Sequence, residues 1–247
     1  MSDPYASVAE NYDIMVDWQA RLARERPFFA AIFREYGVKS VLDVGCATGH
    51  HSRLFAELSA SVLGLDPSAP MIERARSLTP GDNPRFMLGG FEDIPSLIER
   101  FDLITVLGNT LAHVETAAGL ARVLADMRGA INTDGRLCIQ LINYDSLMVA
   151  GSRWLPLAHR QVGDREYLFL REHRYLGGKA EFTIITLIKD GTWSRQVERY
   201  GHLPLPAAVL QAALHEAGFG HIALYGSYNR ESFALDDSPS LIIVAGG

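Results

Sequence analysis

Few folds accommodate the run Asp43-Val44-Gly45-Cys46-Ala47-Thr48-Gly49 where it stands, directly after Ser40-Val41-Leu42. An aliphatic stretch short enough for one strand gives way to glycines, which let the backbone turn sharply and let a ligand approach it closely. A helical stretch follows, with Leu54, Phe55 and Leu58 spaced to face inward. Two common readings of such a turn fail. The dinucleotide fingerprint would need glycines at 45, 47 and 50, but positions 47 and 50 are Ala and His. The chain has no Gly-Lys-Ser/Thr after the turn, which removes the phosphate-binding loop of nucleotide hydrolases. What remains is a close-approach turn followed by Leu63-Gly64-Leu65-Asp66, with the acid 21 residues after Gly45. A carboxylate about 20 positions beyond such a turn ends the neighbouring strand, where it can accept hydrogen bonds from both ribose hydroxyls.

The alternation of strand and helix continues along the chain. Helices are predicted at 18–36, 67–78 and 116–130, with Leu22, Phe29, Ile32 and Phe33 on the apolar face of the first and Pro27 kinking or dividing it. Strands are predicted at 40–44, 61–65, 85–88, 101–107 and 136–142, the last after a turn at 132–135. Strands separated by helices imply right-handed crossovers and a largely parallel sheet covered on both faces. The pattern changes after Asn143. Segments 165–175, 181–189 and 191–203 alternate as strands joined by the hairpin signals Gly177-Gly178 and Asp190-Gly191. A helix at 204–217 stops at Gly218, and strands at 222–225 and 241–245 close the chain. The expected organisation is an N-terminal helical lid (1–36), a core (37–143 and 204–247) and an antiparallel insertion (144–203) that caps a substrate or meets a second subunit through 182–187.

Composition narrows the functional classes. Lys and Arg total 23 against 29 Asp and Glu, a net charge of −6, which lacks the basic footprint of a nucleic-acid binder. Cys46 and Cys138 form neither a CxxC nor a metal-type cluster, so no disulfide framework and no metal is expected. No apolar run approaches the roughly 20 residues that span a bilayer. Met1 to Tyr5 lack the basic and apolar regions of a secretory signal. The expected address is cytoplasmic, with no membrane partner.

With Asp43, Gly45, Gly49 and Asp66 in place, the chain resembles the class I S-adenosylmethionine-dependent methyltransferases, whose turn has the form D-x-G-x-G-x-G and whose second strand ends in an acid. Ala47 takes the place of the middle glycine. Two further runs narrow the resemblance. Leu107-Gly108-Asn109-Thr110-Leu111-Ala112-His113-Val114 is similar to the Gly-Asn-Ser-Phe-Ala-His-Leu run of glycine N-methyltransferases, and Asn143-Tyr144-Asp145 matches another marker of that group. The resemblance implies a Rossmann-like doubly wound, mostly parallel seven-stranded sheet with an antiparallel β insertion after the fifth strand. It implies S-adenosylmethionine as donor and S-adenosylhomocysteine as product. It assigns the donor's carboxylate to Arg21, with Arg24 one helical turn away as the alternative. The turn residues Asp43, Gly45, Cys46, Ala47 and Gly49 would cradle the donor. Asp66 would take the ribose, with Pro67 and Met71 behind it and Phe91-Glu92 around the adenine, while Leu107 and His113 would touch the donor and Asn109 the substrate.

The implied reaction is an in-line displacement that carries a methyl group to a small molecule, most naturally onto nitrogen, in a cavity of oriented uncharged dipoles. Tyr12, Asn109, His113 and Tyr144 are the expected lining, with His113 or a tyrosine accepting or relaying an amine proton. Tyr5, Tyr12, Asp13, Trp18 and Arg21 would fold over the donor. One departure stands out: glycine N-methyltransferases carry an arginine directly before Asn-Tyr-Asp to clamp the substrate carboxylate, and here that residue is Ile142. Glycine is then disfavoured unless Arg153, Arg195 or Arg199 of the insertion supplies the charge. O-methylation, N-methylation of an amino sugar and a non-catalytic donor-binding module stay open as alternatives, and a homodimer is the expectation from related small-molecule enzymes.

Overall fold

The structure, a computed structural model, describes residues 6–247, with side chains from residue 9 onward; Tyr5 lies outside that range. Two helices, α1 (Ala6–Met15) and α2 (Trp18–Tyr36), precede five parallel strands: β1 (Ser40–Val44), β2 (Ser61–Asp66), β3 (Arg85–Leu88), β4 (Phe101–Val106) and β5 (Ile131–Ile142). Between them lie α3 (His50–Glu57), α4 (Ala69–Ser77), a 3₁₀ turn at Phe91–Ser96 and α5 (Ala117–Ala130). Then come α6 (Tyr144–Ala150), β6 (Ser152–Trp154), β7 (Ala158–Val162), β8 (Arg165–Leu176), β9 (Lys179–Asp190) and β10 (Thr192–His202). The chain returns through α7 (Ala207–Glu216) to β11 (His221–Tyr225) and β12 (Ser240–Gly246).

The first sheet has seven strands in the order β11-β12-β5-β4-β1-β2-β3, with only β12 reversed. Its strands are apolar on both faces because helices cover both. Val41, Val62 and Leu103 pack against Phe28, Phe29, Ile32, Leu54 and Phe55 of α2 and α3. Their neighbours Leu42, Leu63 and Ile104 point the other way, toward Leu120, Leu124, Leu210 and Leu214 of α5 and α7. Each fully buried side chain of this kind contributes about 1.5–3 kcal/mol. The chain leaves β1 toward β2 on one side and toward β4 on the other. That reversal opens a crevice at the carboxyl ends of these strands.

Three local expectations change. Pro27 does not divide α2, which runs unbroken through it. The proline removes one backbone donor, but Phe28, Phe29, Ile32 and Phe33 immediately beyond it are buried and hold the helix together. The turn signal at 132–135 lies inside β5 as an irregularity: pairing jumps from Phe101–Ile131 to Leu103–Arg136, and the extra residues are tied down by Asn132 Nδ2 donating to Asp102 Oδ1 at 2.7 Å. The predicted 204–217 helix starts only at Ala207, beyond Pro204 and Pro206.

The second sheet is antiparallel, in the order β10-β9-β8-β6 with β7 also on β8. Residues directly opposite on adjacent strands share a face. Register therefore places Arg171 beside Ile184, His173 beside Phe182 and Tyr200, and Ala180 beside His202 on one surface. Met15 of α1 packs into this face with Tyr167, Phe169, Ile184 and Tyr200. β9 has β8 and β10 along its two edges, so 182–187 cannot extend a sheet into a second subunit.

Candidate active site

A cavity of about 660 Å³ fills the crevice, roofed by α1, α2 and the inner face of the second sheet. Of the expected residues, Tyr12, Arg21, Asp43, Gly45, Cys46, Ala47, Asp66, Pro67, Met71, Phe91, Glu92, Leu107, Asn109 and His113 line it. Arg24 does too, whereas Gly49 and Tyr144 do not.

At the strand ends, backbone conformation does most of the shaping. Gly45, Ala47 and Gly49 all take positive φ, at 72°, 48° and 77°. Ala47 thus keeps the left-handed conformation of the glycine it replaces, at a cost of roughly 1–2 kcal/mol. A Cβ on Gly45 would lie 2.3 Å from Thr110 Cγ2, and one on Gly49 would lie 2.5 Å from Phe86 Cζ. Gly49 is therefore a packing glycine, one step behind the cavity wall. Asp66 is 8% exposed and takes the Ala47 N–H (2.8 Å) on one oxygen and the Ser68 N–H (2.9 Å) on the other. Asp43 is spent differently: Ser52 and Thr105 hydroxyls donate to its two oxygens at 2.7 and 2.8 Å, so it braces β1, α3 and β4.

The N-terminal helices are bolted onto this turn. Asp13 accepts from Thr48 Oγ1 (2.7 Å), His50 Nε2 (3.0 Å) and Arg74 Nε (3.1 Å). Burial alone would raise its pKa, but those three donors hold it down at about 2. Trp18 stacks on His50 with ring centres 4.2 Å apart, and Arg21 lies over the Trp18 ring. Arg21 Nε donates to Glu25 at 3.0 Å. Glu25, 1% exposed, also takes His51 Nε2 at 2.6 Å and has Arg24 at 3.5 Å. Burial disfavours its charge, yet the His51 hydrogen bond and the Arg21 charge prevail and keep its pKa near 2. Glu25 and His51 carry no sequence motif; only their joint burial identifies them.

The far end of the cavity is built on the Leu107–His113 loop. Asn109 has φ 71°, and its side-chain amide donates to Tyr144 Oη (3.0 Å) and His202 Nδ1 (3.1 Å), while its carbonyl accepts from the Ile142 N–H (3.3 Å). Both amide protons are thus committed to scaffolding. Tyr144 lies behind Asn109, 1% exposed, as a support and not as a wall. The rest of the Asn143-Tyr144-Asp145 run is a joint as well. Asn143 caps α6 and ties down the 235–238 loop, and Asp145 accepts the Ala207 N–H at the start of α7.

Three histidines meet at this end. His113 and His202 stand edge to face at 4.6 Å, and His173 stacks on Phe182 at 4.3 Å. Burial lowers the pKa of His113 and His173 to about 4 and that of His202 to about 3, so all are neutral at pH 7. With Nδ1 accepting from Asn109, the His202 proton sits on Nε2. His173 and His202 escaped the sequence reading; strand parity on β8 and β10 is the signal that carries them. None of the insertion arginines singled out from sequence lines the cavity. Arg153 binds the Pro239 carbonyl, Arg199 faces Glu181, and Arg195 lies outside the walls. Arg160 and Arg171 are the ones that face inward.

Comparison with known proteins agrees with this geometry. A model of a methyltransferase domain matches residues 41–135. A glycine/sarcosine N-methyltransferase from Aphanothece halophytica is 28% identical over 245 residues, covering 96% of this chain and 86% of that one. A dTDP-3-amino-3,6-dideoxy-alpha-D-glucopyranose N,N-dimethyltransferase from Streptomyces fradiae is 30% identical over 148 residues, 56% of this chain and 54% of that protein. The solved structure of SAM-bound CalS10, an amino pentose methyltransferase from Micromonospora echinaspora, superposes with a TM-score of 0.74 at 18% identity, covering 100% of this chain and 98% of that one.

Proposed function

Because this chain is a class I S-adenosylmethionine-dependent methyltransferase resembling the glycine N-methyltransferase group, we propose that its acceptor is a small primary or secondary amine, an amino acid or an amino sugar. One observation carries the preference for nitrogen over oxygen. The imidazoles at the acceptor end are held neutral with pKa values of about 3–4, so they are feeble bases. A hydroxyl acceptor would need a strong base, whereas an amine attacks as soon as it arrives uncharged.

The residues present fit the donor. Asp66 brings a carboxylate to the cavity wall at the end of β2 for the ribose, Arg21 lies beside the open backbone of Gly108, and Phe91 and Glu92 flank the adenine end. When bound, S-adenosylmethionine supplies a methyl group already activated by its sulfonium and leaves as S-adenosylhomocysteine. The chain's own work is to orient and to exclude water. Tyr12 lines the cavity and packs against the second-sheet cluster of Met15, Tyr167, Phe169 and Ile184. His113 and His202 present uncharged edges to an acceptor whose nitrogen gains positive charge, and with so weak a base as His113 beside it the methylated amine carries its proton out with the product. Residues 1–36 act as lid, 37–143 with 204–247 as core and 144–203 as acceptor cap. The same reading makes the enzyme cytoplasmic, in keeping with two free buried cysteines, and homodimeric.

Calorimetry with S-adenosylmethionine, followed by a mass-spectrometric screen of amines, amino sugars and phenols, tests the proposal. Donor binding and a gain of one CH₂ on amines alone is the expected result. Transfer confined to phenols or other hydroxyls overturns it. Light scattering and cell fractionation check the dimer and the address.

A further inference from the structure

The two ends of the cavity differ in charge. Its acidic walls, Asp17, Glu25, Asp43, Asp66 and Glu92, all belong to α2, the core sheet or the loops beside them. The wall contributed by the second sheet holds Arg160 and Arg171 and no carboxylate. Arg171 donates from Nη2 to the Pro156 carbonyl at 3.2 Å, and its Nε is buried without a hydrogen-bond partner. Arg160 donates to the carbonyl of its own neighbour, His159. The charged or titratable neighbours of Arg171 are Arg160, Tyr12 and His173, the last held neutral by burial. Glu198 shares the face, across β9 from Arg171, but it does not line the cavity. Two guanidiniums turned toward one cavity repel each other, and a buried donor without an acceptor is costly. Both penalties vanish when an anionic oxygen group enters.

We infer that Arg171, assisted by Arg160, binds an anionic group of the acceptor, a carboxylate or a phosphate, and so replaces from the insertion the clamp that Ile142 lacks. This rests on the methyltransferase reading and adds the charge of the acceptor to it. Arg171 and Arg160 stand on the second-sheet wall of the cavity, and Arg21 and Asp66 on the wall made by α2 and the end of β2, so clamp and donor-side pair face one space from different elements. A planar guanidinium suits either group, since both offer paired oxygens to its fork of donors.

The test uses the full chain loaded with S-adenosylhomocysteine and titrated with glycine, sarcosine and thymidine diphosphate. At least one should bind the wild type. Arg171→Gln should weaken that binding on the order of 10- to 100-fold, as expected for a lost charged hydrogen bond, with S-adenosylhomocysteine affinity changed less than about twofold. Arg171→Lys should recover part of the loss. Binding of the amino acids alone marks a carboxylate acceptor, and binding of the diphosphate alone a phosphorylated one. The inference falls if no anion binds the loaded wild type, if Arg171→Gln leaves anion binding unchanged, or if its loss lies on S-adenosylhomocysteine instead. Wild-type protein that ignores S-adenosylhomocysteine and methylates nothing sinks the proposed function; one that binds it and methylates only uncharged amines sinks this inference alone.

Discussion

The donor end and the acceptor end of the cavity are made by different means. At the donor end, the shape comes from backbone: three left-handed residues in one turn and a carboxylate gripped by two N–H groups. At the acceptor end it comes from side chains on a separate sheet, aimed inward by strand parity and held by one asparagine. A surface made of backbone suits a ligand that does not change, and one made of side chains can be altered residue by residue without disturbing the fold. The two ends are joined by α1, whose Asp13 holds the turn and whose Met15 packs into the second sheet, and by the loop carrying Asn109.

Substitutions should expose that division, and the largest effect belongs to the turn. Gly45→Val must fit a Cβ against Thr110 at a positive φ, so denaturant unfolding should show a loss of roughly 2–5 kcal/mol and donor binding should vanish. Next comes Asp66→Ala. Losing the ribose hydrogen bonds should weaken donor binding by about 1–3 kcal/mol, read by calorimetry, while anion binding at the other end stays as it was. An equal loss at both ends would erase the distinction drawn here.

Acid should separate the halves as well. The folded-state pKa values of His113, His173 and His202 lie below the free value of 6.5, so the unfolded chain binds more protons as pH falls. The stability they contribute is present above about pH 6.5 and is lost as pH drops toward 4 and below. Asp13 and Glu25, also depressed, act lower: their contribution is present above about pH 4–4.5 and is lost toward pH 2. Thermal melts should therefore decline in two stages. His202→Gln should shrink the upper stage, and Glu25→Gln the lower one. The smallest effect is expected for Ala47→Gly. Relief of the left-handed alanine is nearly offset by the freer unfolded chain, so stability should move by less than about 1 kcal/mol in either direction.

The same division explains what could be read from sequence. Asp43, Gly45, Gly49 and Asp66 announce the donor end because backbone geometry tolerates few residue types, and such demands leave a local pattern. The strands of the first sheet and β8, β9 and β10 were legible for a similar reason, with Gly177-Gly178 and Asp190-Gly191 marking the hairpins, whereas the short β6 and β7 were not. His173, His202, Arg160 and Arg171 left no such mark. Each is an ordinary polar residue on an alternating strand, and its inward aim depends on which face of the sheet meets the core, a tertiary fact. Asn109 was legible in sequence and lines the cavity, whereas Tyr144, expected beside it, lies behind as its hydrogen-bond partner.

The Asp13 carboxylate fastens α1 to the turn through Thr48 and His50 and to α4 through Arg74, while two residues on, Met15 is plugged into the second sheet. One short helix is thus anchored to both walls of the cavity, so any change that displaces α1 is felt at the turn and at the second sheet alike.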